Sequence, residues 1–141
     1  MSDRIEGRVI KISRPAESVY MLFADLSSFA RAIPAEAVDK YELKLTGESV
    51  TGKAYGFELG MRVAERTPFS KVVYKQSEQT PIEFLLSANF VSLSPGSCDF
   101  QLVMDVELPL MYKMMLGGKL QEVVDKLTDN IEAGFNMGVG L

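Results

Sequence analysis

The fold is decided where the hydrophobic period changes, in residues 100–135, which read FQLVMDVEL (100–108) and then PLMYKMMLGGKLQEVVDKLTDNIEAGF (109–135). In the first part every second residue is apolar, which is typical of a strand with one face on a core and the other in water. After Pro109 the apolar residues recur at steps of three and four, which predicts one amphipathic helix running to about Phe135. Its apolar stripe consists of Leu116, Leu120, Val123, Leu127, Ile131 and Phe135.

Gly117 and Gly118 interrupt this predicted helix. Two glycines inside a helix cost about 1 kcal/mol each relative to alanine. We therefore expect either a bend at this point or a close approach of the backbone to the sheet or to a ligand.

The same alternation of apolar and polar residues continues towards the amino terminus, in residues 57–63 and 82–90. Turn signals separate these segments, among them Thr67-Pro68 and Pro95-Gly96. Pro95-Gly96 predicts a type II turn, because glycine accepts the positive φ that this turn requires. Short connections between neighbouring strands favour an antiparallel meander.

The amino-terminal part predicts a first strand over residues 4–12 and then two short helices. Pro15 opens the first helix. Ser27 or Ser28 caps the second, which carries Phe29, Ala32 and Ile33 and stops at Pro34.

These elements predict an α+β fold in a single domain spanning residues 1–141. An apolar sheet face needs a covering layer, and only the carboxy-terminal helix is long enough to provide one. We expect a curved antiparallel sheet of about six to seven strands wrapped around that helix. Curling of this kind leaves space between sheet and helix, which predicts a cavity.

The composition excludes several classes of function. The net charge of −4 disfavours nucleic-acid binding, because phosphate affinity depends mainly on Lys and Arg. The chain has no histidine and a single cysteine, Cys98, so His-based triads and ordinary zinc sites are excluded, and no metal or cofactor is expected. Cys98 itself is interpreted as an ordinary thiol at the edge of a turn.

A cytoplasmic location and no membrane insertion are expected. The start of the chain, Met1–Glu6, lacks the apolar segment of a signal peptide. No apolar run approaches the roughly 20 residues of a membrane helix.

Methionine is the most suggestive residue type, with eight copies in the chain. Its flexible, polarizable side chain adapts to irregular apolar ligands, although core filling is the more common role of such residues. The residues that we predict to line the cavity and bind a ligand are Phe57, Leu59, Met61, Phe84, Leu86, Met104, Met111 and Met115.

The charged strand residues are interpreted mainly as a solvated outer face. Glu58, Asp105 and Glu107 alternate with the apolar positions and are therefore predicted to face water. Arg62 and Arg66 are expected to pair with charges across that face, unless a shift of register turns one of them inward to hold an anionic ligand. We predict no catalytic residue.

Three stretches carry a resemblance to a known family: RPAESVY (14–20), AERTP (64–68) and LPLMYKMM (108–115). Together with the order of elements over about residues 3–136, they resemble the helix-grip fold of the START/Bet v 1-like (SRPBCC) superfamily. The chain looks closest to small bacterial members described as polyketide cyclase/dehydratase-like. Members of the superfamily bind lipids, sterols, hormones or polyketides, and a minority are enzymes. The superfamily shares no catalytic motif, so the resemblance implies no catalytic residue.

Three functional hypotheses follow. The first is the binding or carrying of a hydrophobic small molecule, lipid-, sterol- or polyketide-like, in the cavity between sheet and helix. The second is a protein-interaction module, which a large exposed apolar patch would favour. The third is an enzyme of the polyketide cyclase, aromatase or dehydratase type, which would need an ionisable group with a shifted pKa inside the cavity. The sequence leaves the oligomeric state and the identity of the ligand open.

Overall fold

The computed structural model describes residues 2–29, 35–54, 57–78, 80–116 and 118–136. Its described part contains eight strands in one antiparallel sheet. The strands are β1 (Ser2–Glu6), β2 (Ile10–Ile12), β3 (Lys44–Leu45), β4 (Ser49–Ala54), β5 (Phe57–Thr67), β6 (Lys71–Gln76), β7 (Glu83–Ser94) and β8 (Ser97–Glu107).

The sheet order is β1-β8-β7-β6-β5-β4-β3, and β2 also pairs with β8. The strands from β3 to β8 therefore form the predicted antiparallel meander, and the predicted α+β class is confirmed. The expected first strand over residues 4–12 is instead two short strands, β1 and β2, which lie along β8 on either side of Gly7. This break and the two-residue β3 account for eight strands where about six to seven were expected.

The first two helices are α1 (Ala16–Ala24) and α2 (Ala35–Tyr41), with a 3-10 turn at Leu26–Phe29 between them. Pro15 immediately precedes α1, as predicted. The predicted second helix, which stops at Pro34, is described only at its start, where Leu26–Phe29 forms the 3-10 turn, and α2 is a further helix that was not predicted. Ala32 and Ile33 lie outside the described residues.

The carboxy-terminal segment forms two helices, α3 (Leu110–Leu116) and α4 (Lys119–Asn136), where one continuous helix was predicted. A side chain placed at Gly118 would meet no atom within 4 Å. Gly118 therefore allows a break between helices and does not mark a close contact.

Helix α4 packs on β1, β2 and β8 with a face that agrees in part with the predicted stripe. Phe135 is buried, and Leu120 and Ile131 pack against the core, as predicted. Val124 and Thr128 are fully buried, whereas Val123 and Leu127 of the predicted stripe are 45% and 39% exposed. The cause lies in Gly7, because a Cβ there would come within 3.0 Å of both Val124 Cγ1 and Thr128 Oγ1. Only a residue without a side chain lets α4 approach the sheet along this face.

Ion pairs beside Gly7 favour the same orientation of α4 about its axis. The guanidinium of Arg8 donates to Asp129 at 2.8 Å and to both carboxylate oxygens of Glu132 at 2.8 and 3.2 Å. These hydrogen bonds raise the pKa of Arg8 and lower that of Glu132.

One end of the sheet is filled by an aromatic cluster beneath α1. The ring centroids of Phe23 and Phe100 lie 4.9 Å apart, and those of Phe90 and Phe100 lie 5.5 Å apart. Tyr20 meets Phe90 edge to face at 6.2 Å. These residues are buried, so this half of the sheet is a packed core.

In two turns, positive φ does not occur at the residue type where it is expected, which is glycine. Phe69, between β5 and β6, has a φ of 66°, although a bulky side chain normally avoids that region. Its ring packs edge to face on Tyr20 with centroids 5.6 Å apart, which offsets part of the strain. Gly96 lies outside the positive-φ region, so the predicted type II turn at Pro95-Gly96 is wrong.

Candidate functional site

An apolar pocket of about 370 Å³ lies at the other end of the sheet, between the strands and the first turn of α4. Its volume falls near the lower end of the range of about 300–1,000 Å³ typical of small-molecule sites. The described residues that line it are Tyr41, Leu43, Val50, Thr51, Gly52, Lys53, Leu59, Gly60, Met61, Thr80, Ile82, Phe84, Met104, Val106 and Leu120.

Strand register brings the apolar side chains of the wall together. Val50 pairs with Met61 on β4 and β5, and Phe84 pairs with Val106 on β7 and β8. Directly paired residues share a face, so these four side chains point into the same space. Leu120 of α4 covers it from the opposite side. The pocket is therefore the predicted space between sheet and carboxy-terminal helix.

The chain between α2 and β3 forms one rim of the pocket. Glu42 has a φ of 49°, which turns the chain so that residues 41–43 run along β4. A Cβ at Gly52 would lie 2.7 Å from Leu43 Cδ2 and 3.0 Å from the carbonyl oxygen of Tyr41. Gly52 therefore lets this segment lie directly against β4 and close the pocket on that side.

The polar side chains around the pocket are engaged elsewhere. Thr80 Oγ1 accepts a hydrogen bond from Gly60 N at 2.9 Å and donates to Gly60 O at 3.0 Å. Thr51 and Lys53 alternate with the inward residues of β4, which directs their side chains to the outer face. Lys53 Nζ lies 3.6 Å from a carboxylate oxygen of Glu42.

The structure places some of the eight predicted lining residues in the pocket and others elsewhere. Leu59, Met61, Phe84 and Met104 line the pocket. Leu86 is buried, and it belongs to the core cluster. Met111 and Met115, on α3, are 70% and 64% exposed and do not line the pocket. The side chain of Phe57 lies outside the described part. Whether any of these residues binds a ligand stays a prediction.

Sequence reasoning missed about half of the apolar wall. Ile82 and Val106 share their strand faces with Phe84 and Met104, so the alternation contained the signal for both. Leu120 belonged to the predicted apolar stripe of the helix but was not among the predicted lining residues. The alternation gives no comparable signal for Tyr41 and Leu43, because they lie on the short segment that follows α2.

Arg66 leaves the outer face of the sheet through a shift of register but stays exposed to solvent. A bulge between Val63 and Glu65 moves Arg66 opposite the fully buried Val72 of β6. Its guanidinium donates to the carbonyl oxygen of Ala24, at the end of α1, at 2.8 and 3.0 Å, and to Glu48 at 2.8 Å. Arg66 thus caps the carboxyl end of α1, where a cation also favours the helix dipole.

Tyr74 supports the same helix end from β6. Its hydroxyl donates to the carbonyl oxygen of Phe23 at 2.5 Å, and its side chain is 2% exposed. Burial raises the pKa of Tyr74, which stays protonated well above neutral pH. Tyr74 therefore acts as a structural hydrogen-bond donor.

The other titratable candidates lie away from the pocket. Glu58 and Glu107 are exposed and Asp105 is partly exposed, in agreement with the predicted outer face. Cys98 is fully buried at the start of β8, deeper than the predicted turn-edge position. Burial, and next the negative charge of Asp99, raise the pKa of its thiol, which lowers its reactivity.

Within the described ranges, no group of three or more Cys, Asp or Glu side chains is arranged to hold a metal ion. No helix in that part of the chain is both long enough and apolar enough to cross a bilayer.

Known structures superpose on this arrangement along nearly the whole chain. A START superfamily protein from Mycobacterium smegmatis matches with a TM-score of 0.63 over 95% of this chain and 97% of its own, at 14% identity. This chain has the helix-grip fold. The predicted resemblance to START and Bet v 1-like proteins is thereby confirmed as a likeness of structure.

Two further helix-grip structures come from enzymes. Norcoclaurine synthase from Thalictrum flavum, in complex with dopamine and hydroxybenzaldehyde, matches with a TM-score of 0.64 over 91% of this chain and 87% of its own, at 11% identity. The di-domain ARO/CYC BexL from the BE-7585A biosynthetic pathway matches with a TM-score of 0.60, at 15% identity, over 95% of this chain and 48% of BexL. The sequence matches no protein-family model and no curated protein. At these identities the likeness establishes the fold alone.

Proposed function

We propose that the protein binds or carries a hydrophobic small molecule in the pocket between β4, β5, β7, β8 and the start of α4. The observation that carries this proposal is an apolar, partly open space of about 370 Å³ between the sheet and the start of α4. Apolar side chains that line such a pocket are left in contact with water, which costs about 25 cal/mol per Å² of apolar surface. A ligand that fills the space recovers part of that cost.

The fold supports the same proposal. Helix-grip proteins commonly enclose hydrophobic ligands, and the norcoclaurine synthase that matches this chain is in complex with two small aromatic molecules. Met61 and Met104 give the wall side chains that adapt to ligands of irregular shape. We also propose that the protein is cytoplasmic.

The chain contains no tryptophan, so a tryptophan introduced to fill the pocket is the only one in the variant. Met61→Trp fills the pocket from β5, and Leu85→Trp is its matched control on the outer face of β7. We expect the native protein and Leu85→Trp to retain a copurified ligand in native mass spectrometry and to bind Nile red. We expect Met61→Trp to lose at least about tenfold in dye affinity, since it occupies the site. Equal dye binding by both variants, or no binding by the native protein, would refute the proposal.

A second candidate function rests on α3. Leu110, Met111, Met114 and Met115 are 64–81% exposed and form an apolar surface outside the pocket. Exposed apolar patches of this kind commonly mark contacts with other proteins. Light scattering across a concentration series tests for self-association, and Met114→Lys should abolish any assembly that uses this surface. Association that is unchanged in the variant would contradict the role of α3.

A further inference from the structure

We infer that the ligand of this pocket is small and uncharged and has at most one hydrogen-bonding group, placed at the Tyr41 end. The inference rests on the proposed function, which leaves the chemical class of the ligand open. Three features of the described pocket support it: the volume, the placement of the charged side chains and the hydrogen bonds that the polar atoms already make.

Volume limits the size of the ligand. A space of about 370 Å³ lies near the lower end of the range of small-molecule sites, which is about 300–1,000 Å³. Two or three fused rings, or a short branched hydrocarbon, fit this space. A four-ring sterol with its side chain, or a lipid with two acyl chains, exceeds it.

The placement of the charged side chains excludes an ionised ligand. Lys53 is the one charged residue among the described lining residues, and its ammonium lies 3.6 Å from a carboxylate oxygen of Glu42, which already supplies a counter-charge. Its cross-strand partner on β5 is Glu58, a second carboxylate. The inward side chains are apolar, so a buried carboxylate or ammonium of the ligand would have no counter-charge.

The polar atoms of the wall limit hydrogen bonding. Thr80 already exchanges hydrogen bonds with both backbone groups of Gly60, and its oxygen also lies 3.1 Å from Ser77 Oγ. Gln76, beside the pocket on β6, accepts from Phe84 N at 3.1 Å. A ligand with several polar groups would bury them without partners.

Tyr41 is the exception at the rim. Its hydroxyl has no hydrogen bond to any residue that the structure describes, and the residue is 38% exposed. The ammonium of Lys40 lies 5.3 Å from the centre of its ring and so holds the ring by a cation–π contact. A single hydroxyl or carbonyl of the ligand therefore finds its partner at this end of the pocket.

The test compares four naphthalene derivatives of nearly equal size by isothermal titration calorimetry: 2-methylnaphthalene, 2-naphthylmethanol, 2-naphthoate and 2-naphthylmethylammonium. Cholesterol, presented in cyclodextrin, is the large neutral probe. We expect the alcohol to bind at least about 100-fold more tightly than either ion, because an unpaired charge is costly in an apolar site. Cholesterol should not bind.

Variants test the position of the polar group. Tyr41→Phe should weaken binding of the alcohol about threefold to tenfold, as expected for one hydrogen bond, and leave binding of 2-methylnaphthalene unchanged. Tyr112→Phe, on α3, is the matched control and should change neither affinity.

The outcomes separate this inference from the proposal beneath it. Binding of 2-naphthoate or the ammonium as tightly as the alcohol, or binding of cholesterol, overturns the inference while the pocket remains a ligand site. Equal loss of both neutral probes in Tyr41→Phe overturns the assignment of the polar end. If no probe binds and native mass spectrometry finds no ligand, the proposed function itself fails.

Discussion

Replacement of Tyr74 by phenylalanine tests how the sheet supports the end of α1. The hydroxyl of Tyr74 donates to the carbonyl oxygen of Phe23 at 2.5 Å, and the side chain is almost completely buried. Carbonyl groups in the last turn of a helix lack partners within the helix, so a side-chain donor is valuable there. The substitution removes one oxygen atom and keeps the ring, which leaves the packing in place.

The expected loss is about 1–3 kcal/mol, which is the usual cost of removing one partner from a buried hydrogen bond. Unfolding entropy of about 2.1 cal/mol/K per residue makes about 0.3 kcal/mol/K for a chain of 141 residues. The midpoint of thermal unfolding should therefore fall by about 3–10 °C. Urea denaturation followed by circular dichroism measures the same loss, with Tyr112→Phe as the partly exposed control.

The pH dependence gives a second, independent readout. The pKa of Tyr74 is raised in the folded state, so its stabilising contribution is fully present below its unfolded pKa of about 10. Above that pH the unfolded state loses the proton while the folded state keeps it, and stability falls. This part of the alkaline decline should be absent from Tyr74→Phe. A loss of stability no larger than that of Tyr112→Phe, with an unchanged alkaline slope, would refute the reasoning.

Three further substitutions or reactions test the rest of the fold. Gly7→Val should lower the free energy of unfolding in urea by about 1–3 kcal/mol, because its side chain would collide with α4. Gly96→Ala lies in open space and should leave the stability unchanged or slightly higher. Equal effects of the two substitutions would contradict the close approach at Gly7. Arg8 holds the pKa of Glu132 below about 4.5, so the native protein should lose stability as the pH falls below that value. In Arg8→Gln this loss should be smaller. Acid-unfolding curves that run parallel in the native protein and the variant would disprove the contact. Cys98 should react with a thiol reagent far more slowly in the native state than in urea, and rapid native labelling would show that its burial is wrong.

Much of the architecture could be predicted because hydrophobic periodicity is a local property of the chain. Leu59, Met61 and Val63 alternate with polar residues, and so do the inward residues of β7 and β8. The structure places each set on one face of its strand. The sequence also contained enough of this pattern to predict the antiparallel meander, the covering helix and the space between them.

The site was predicted less completely because periodicity does not say what lies opposite a face. Phe100 and Met104 share one face of β8, yet Phe100 packs under α1 while Met104 lines the pocket. Met111 has the same apolar character, and the break at Gly118 leaves it on an exposed helix. Core and pocket lining are therefore distinguished by tertiary neighbours, not by residue type.

By itself the sequence determined which residues share a face of β7 and β8, the antiparallel meander that precedes a carboxy-terminal helix, and the lack of histidine chemistry. Only the tertiary structure decided which face of α4 is buried, because that depends on the approach allowed at Gly7 and on the ion pairs of Arg8. It alone decided that Arg66 leaves the outer face and caps α1, since one bulge reverses the alternation of β5. These outcomes depend on contacts between distant segments, and local periodicity carries no information about such contacts.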